Sequence, residues 1–70
     1  MKKIRKKFWK IELAYAQSTY CFYRWSNEEA FALMLGIFAL AQKLNLRWQT
    51  INSYIKDGFD RYLVTEVKRT

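Results

Sequence analysis

Histidine and proline are absent from these 70 residues, cysteine occurs once and glycine twice. Each shortage excludes something. A single thiol, Cys21, cannot form a disulfide within one molecule, and without histidine it cannot complete a zinc site. The two glycines, Gly36 and Gly58, are 22 positions apart, so there is no glycine-rich loop to cradle a phosphate. Without histidine no nucleophile–base pair is legible, and Cys21, set among aromatic residues, reads as a buried small apolar side chain. Asp57 and Asp60 flank Gly58, which is common turn chemistry. The chain is therefore expected not to be an enzyme, to need no cofactor or metal and to take no small-molecule substrate. The longest apolar stretch, Ala30 to Ala41, has 12 residues, short of the ~20 that cross a bilayer, so no transmembrane segment is expected. The lack of proline suits elements joined by short turns. Repeats, linkers and low-complexity segments are absent too.

What the chain has in quantity is aromatic side chains and positive charge. Three Trp, five Tyr and five Phe offer dense packing to a chain whose length supports one small domain, residues 1–70. The net charge is +7, which draws a protein toward polyanions of some kind. Lys2, Lys3, Arg5, Lys6 and Lys7 supply five of those charges, and without them +2 remains. Residues 1–7 are read as a basic arm. Although Met1 to Lys7 could open a signal peptide and Ala14-Tyr15-Ala16 resembles a cleavage site, Lys10 and Glu12 interrupt the stretch between them. A cytoplasmic location is expected.

From Phe8 to Tyr15, Trp9, Ile11, Leu13 and Tyr15 alternate with Phe8, Lys10, Glu12 and Ala14, a period of two that predicts a half-buried strand. Gln17-Ser18 is a weak turn, and Thr19 to Trp25 suits a second strand, making an N-terminal hairpin. Cys21, Tyr23 and Trp25 are expected to share one face of it. The outer face is expected to carry Phe8, Lys10, Tyr20, Phe22 and Arg24, a mixture of aromatic rings and cations that forms a candidate partner surface or stacks bases. The alternative is that another element or subunit covers it.

Ser26-Asn27-Glu28-Glu29 has the pattern of a capping box. It predicts a helix running to about Leu44, with Glu28 and Glu29 at the positive end of its dipole. Three stripes run along that helix. Phe31, Leu35 and Phe38 form one, and Leu33, Ile37, Leu40 and Leu44 another. The third, Ala32, Gly36, Ala39 and Lys43, is mostly small and permits close approach by a neighbour. Covering so much apolar surface falls to the hairpin and the last strand, or to a second copy of the chain in a homodimer.

At 100° per residue Trp48, Ile51, Tyr54 and Ile55 gather on one side of a second helix, with Gln49, Thr50, Asn52, Ser53, Lys56 and Asp57 filling the rest. Gly58 stands where a helix often ends in a left-handed residue. Phe59 to Lys68 is rich in β-formers and predicts a third strand. The expected fold is α+β in the order ββααβ: an N-terminal hairpin, a long central helix, a short second helix and a C-terminal strand.

Residues 37 to 58 resemble the helix-turn-helix of bacterial and phage DNA-binding proteins. Ala41 occupies the small position of the first helix, with Leu40 and Leu44 as apolar neighbours. Asn45 is the turn residue, where glycine is more usual. Leu46 follows it, and Ile51 and Tyr54 are the buried pair of the second helix. The resemblance implies a small DNA-binding regulator or accessory factor of the kind found on phages and mobile elements. It implies that Arg47, Gln49, Thr50, Asn52, Ser53 and Lys56 face DNA. Arg47 would read guanine and Gln49 or Asn52 adenine, while Thr50, Lys56 and the arm hold phosphates. The same 20-residue pattern also describes a plain αα-corner that touches no DNA. A different class of function fits the composition as well: a small inhibitor or subunit docking on a larger nucleic-acid-handling complex through its aromatic and basic surface. A weaker third reading has the arm attach to anionic membranes with Phe8 and Trp9 inserted.

Overall fold

The computed structural model describes residues 6–58 and 60–68. Of the basic arm, Lys2, Lys3 and Arg5 lie outside the described residues, as does Phe59. The elements follow in the order β1 (Lys7–Tyr15), β2 (Ser18–Ser26), α1 (Glu29–Leu44), α2 (Trp48–Lys56) and β3 (Tyr62–Glu66). The strands form one antiparallel sheet in the order β2-β1-β3. The fold is α+β, ββααβ, as the periodicities require.

β1 is the central strand, and its odd-numbered side chains make the core. Trp9, Ile11 and Leu13 are buried against Ala32, Ile37, Leu40 and Ala41 of α1 and Ile51 and Ile55 of α2. The indole N–H of Trp9 donates to the carbonyl of Ser26 at 2.9 Å, a buried bond between β1 and the last residue of β2. Gly36 explains how α1 comes so close to the sheet. A Cβ at that position would stand 2.5 Å from Ile11 Cγ2 and 3.1 Å from Ile11 Cβ.

The hairpin differs from expectation in its turn and in its faces. The loop is Ala16-Gln17, one residue earlier than Gln17-Ser18, with Tyr15 opposite Ser18. Both loop residues have positive φ, 51° and 69°, the handedness that two-residue hairpin loops require and glycine or asparagine usually supplies. A two-residue loop places even positions of one strand opposite odd positions of the other. Phe8 therefore faces Trp25, Lys10 faces Tyr23, and Glu12 faces Cys21. The outer face of the sheet carries Phe8, Lys10, Cys21, Tyr23 and Trp25. Tyr20, Phe22 and Arg24 are on the helix side with Ile11 and Leu13. Cys21 is exposed rather than buried.

The start of α1 is also shifted. Glu28, not Ser26, is the residue preceding the helix, and its side chain makes no capping bond. Ser26 is held extended as the end of β2, so its hydroxyl serves a turn instead. It accepts from the Glu28 N–H at 3.3 Å and donates to the Glu28 carbonyl at 2.9 Å. Glu29 is the first helical residue, still placed to favour the dipole.

Two measurements test this packing. Gly36→Ala is expected to lower the urea midpoint, because forcing a methyl into Ile11 costs about 1–3 kcal/mol against a helix-propensity gain of roughly 1 kcal/mol. Stability equal to the parent would contradict the close approach. Replacing Ala16-Gln17 by Asn-Gly is expected to raise stability by about 1 kcal/mol, since both residues then accept positive φ without strain.

Candidate nucleic-acid interface

The turn between the helices is built from backbone geometry. Asn45 is left-handed, φ 57° and ψ 44°. Its N–H bonds the Gln42 carbonyl at 3.2 Å, and the Leu46 N–H bonds the Ala41 carbonyl at 2.9 Å. This paired arrangement closes a helix while turning the chain. Asparagine serves where glycine is more usual because its short polar side chain tolerates that conformation. Ala41 and Leu40 are buried ahead of the turn, and Ile51 beyond it is fully buried.

The residues that anchor α2 fall on its expected side. Ile51 and Ile55 enter the core. Tyr54 packs edge-on against Tyr15, with ring centroids 4.8 Å apart. Trp48 is partly exposed and meets Phe38 edge-on at 5.5 Å. The C-terminus of α2 does not use Gly58 as a left-handed stop, because neither glycine has positive φ. Instead Arg61 Nη1 donates to the Tyr54 carbonyl at 2.8 Å, and its guanidinium lies 4.1 Å from the centroid of the Tyr54 ring. A cation bonded to a final carbonyl is a favourable helix ending. A Cβ at Gly58 would come 2.5 Å from Arg61 Nε, so a side chain there would displace the guanidinium from its place over Tyr54.

Of the six α2-region residues implied to face DNA, Arg47, Gln49, Thr50, Ser53 and Lys56 are exposed. Asn52 departs from that expectation. It lies on the flank of the helix beside the Ile55 side, is half-buried, and its Oδ1 is buried without a hydrogen-bond partner among the described residues. A bidentate adenine contact needs both ends of the amide, so Asn52 in this conformation cannot make one.

The expected partner surface is divided by the sheet. Phe8 and Lys10 are on the outer side. Tyr20 and Phe22 pack against the core from the other side, and Phe22 and Arg24 line a shallow cleft with Ala39, Gln42 and Lys43 of α1. Trp9, expected to insert into a membrane, is buried and hydrogen-bonded. Reasoning from the sequence missed Tyr23 and Trp25 as outer-face residues and Arg61 as the cap of α2. The parity of a two-residue loop was the signal for the first pair. No sequence signal marked Arg61.

The described residues leave two apolar surfaces uncovered. Along α1, Phe31, Leu35 and Phe38 are exposed, Phe31 by 55%, and Trp48 extends them. On the outer face of the sheet Tyr23, Trp25 and Leu63 are exposed. Among the described residues no helix is long and apolar enough to cross a membrane. No family model matches the chain, and neither similar curated proteins nor similar solved structures were found.

Asn52→Ala tests the orphaned oxygen. An unpaired buried acceptor costs about 1–3 kcal/mol, and alanine also favours the helix by up to roughly 0.7 kcal/mol. The variant is expected to match or exceed the parent in urea denaturation. A clear loss of stability would mean that the amide makes a contact essential to the fold.

Proposed function

We propose that the chain is a small non-enzymatic DNA-binding protein, a regulator or accessory factor that places α2 in the major groove. One observation carries this reading. Gln49, Thr50, Ser53 and Lys56 stand exposed on a helix whose opposite side is anchored by Ile51 and Ile55, with Arg47 exposed at the residue before it, directly after a turn at a left-handed Asn45. An exposed polar face on a rigidly seated helix is what major-groove readout requires. Arg47 would pair with guanine and Gln49 with adenine. Thr50, Lys56 and the arm residues Lys2, Lys3, Arg5, Lys6 and Lys7 would hold phosphates and set the register. Because of the buried oxygen of Asn52, that residue has no base-reading role in this proposal. A homodimer through Phe31, Leu35 and Phe38 would cover the open stripe of α1 and present two copies of α2 to successive turns of the duplex.

The same open stripe supports a second reading, a small inhibitor or subunit that anchors Phe31, Phe38 and Trp48 in a larger partner, since aromatic side chains dominate interface energetics. Salt separates the two. Affinity resting on several phosphates falls steeply between low and moderate salt, whereas an interface anchored by apolar rings falls much less.

Arg47→Ala or Gln49→Ala is expected to weaken binding to a selected duplex by about 1–3 kcal/mol relative to random duplex. Asn52→Ala should leave that preference unchanged. Titrations by gel shift at two salt concentrations measure both. Equal affinity of every variant for every duplex would reject α2 as a base reader.

A further inference from the structure

The outer face of the sheet carries a built cluster that the proposal for α2 does not use. Phe8 of β1 stacks on Tyr23 of β2, with ring centroids 5.6 Å apart and planes 19° from parallel. Trp25, directly opposite Phe8 in register, lies 4.8 Å from it and is tilted by 42°. Tyr23 and Trp25 are 46% and 49% exposed. Both helices pack on the opposite side of the sheet through Trp9, Ile11 and Leu13, so none of the described elements covers these rings.

The charges around the cluster are of one predominant sign. Lys10 is next to Phe8 on the same face and opposite Tyr23 in register. Lys6, Lys7 and Lys68 line an open pocket of about 480 Å³ with Phe8 and Trp25. The single carboxylate lining it is Glu66, 4.0 Å from Lys7. Glu12 and Asp60 line a different cleft with Arg61, Thr19 and Leu63, toward the hairpin-loop end. Apart from Glu66, the aromatic end of the face is cationic, while Glu12 and Asp60 lie toward the hairpin-loop end.

We propose that Phe8, Tyr23 and Trp25 form a stacking platform for single-stranded DNA, with Lys10 and Lys68 tracking its phosphates. Every nucleobase has a face that stacks on an aromatic ring, so such a platform binds unpaired strands with little sequence preference. Bases in a duplex are already stacked on one another and cannot reach it. The platform and α2 occupy opposite sides of the sheet, so one molecule engages a duplex and an unpaired strand at separate sites. The choice of DNA over RNA rests on the reading of α2 given above, whereas the stacking geometry and the charge stand without it.

The test measures anisotropy of a labelled oligo(dT) of about 12 nucleotides, a length within the usual site size, at low salt, with a random duplex and oligo(rU) in parallel. Trp25→Leu keeps an apolar side chain but removes the ring and is expected to lower oligo(dT) affinity about tenfold, with duplex affinity unchanged. Trp25→Phe, which restores an aromatic face, should recover most of the loss. Tyr23→Leu is a second probe of the same platform, and urea denaturation of each variant confirms that it folds. Weakened binding of a selected duplex in Arg47→Ala, with oligo(dT) binding intact, supports two separate sites. If no duplex binds specifically but the tenfold pattern with oligo(dT) holds, the reading of α2 fails and the platform stands. The platform is overturned if oligo(dT) does not bind saturably, if Trp25→Leu and Trp25→Phe behave alike, or if oligo(rU) binds at least tenfold more tightly than oligo(dT). It is also overturned if affinity moves with an acidic protein competitor rather than with the strand.

Discussion

Helix α1 can approach β1 only as closely as the side chains between them allow, and at Gly36 there is none. Ile11 fills the space that a Cβ would take. The contact is at the middle of the central strand, so it fixes both the height of the helix above the sheet and its rotation about its own axis. With Ala32 and Gly36 turned inward, Ile37, Leu40 and Ala41 follow them into the core, and Phe31, Leu35 and Phe38 must point away. The turn at Asn45 then delivers α2 so that Ile51 and Ile55 meet the same core. The outward set on α2, from Arg47 to Lys56, is a consequence of how α1 is seated.

The sheet acts as a partition. Its inner side carries the two helices, and its outer side is covered by nothing in the described residues. A domain of this size rarely has enough elements to sandwich a sheet from both sides. The aromatic side chains on the open side are therefore not surplus core. They are paired with one another, Phe8 with Tyr23 and Trp25, and surrounded by lysines. Bare apolar surface of this kind on a small protein marks a place of contact.

Much of the architecture was legible because it is written in local periodicities. The alternation of Trp9, Ile11, Leu13 and Tyr15 marked β1, and the grouping of Ile51, Tyr54 and Ile55 marked α2. Asn45 marked the left-handed turn. Other features depend on contacts between distant residues and were not legible. Ser26 has the right neighbours for a helix cap, but its backbone is held in β2 by pairing with Lys7 and by the Trp9 indole. Gly58 looks like a helix stop, yet the stop is made by Arg61, three residues further on. Asn52 is polar and at a polar position by period, but it sits at the margin of the stripe, where neighbouring bulk decides which atoms see solvent. The division of Phe8 and Lys10 from Tyr20, Phe22 and Arg24 was legible but missed: a two-residue loop, at Gln17-Ser18 as much as at Ala16-Gln17, sets even positions of one strand opposite odd positions of the other.

The pairing of β1 with β3 places residues 9–13 beside residues 62–66. The middle strand of the sheet thus leaves the ribosome before either of its neighbours, and β3 follows only after both helices. Until that neighbour arrives, the hydrogen-bonding edge of β1 that it will occupy is open along Trp9, Ile11 and Leu13. Sheet closure in this chain is a late, long-range event, of the kind that slows folding, and a nascent chain stalled before Tyr62 would display one unpaired edge of β1 to its surroundings.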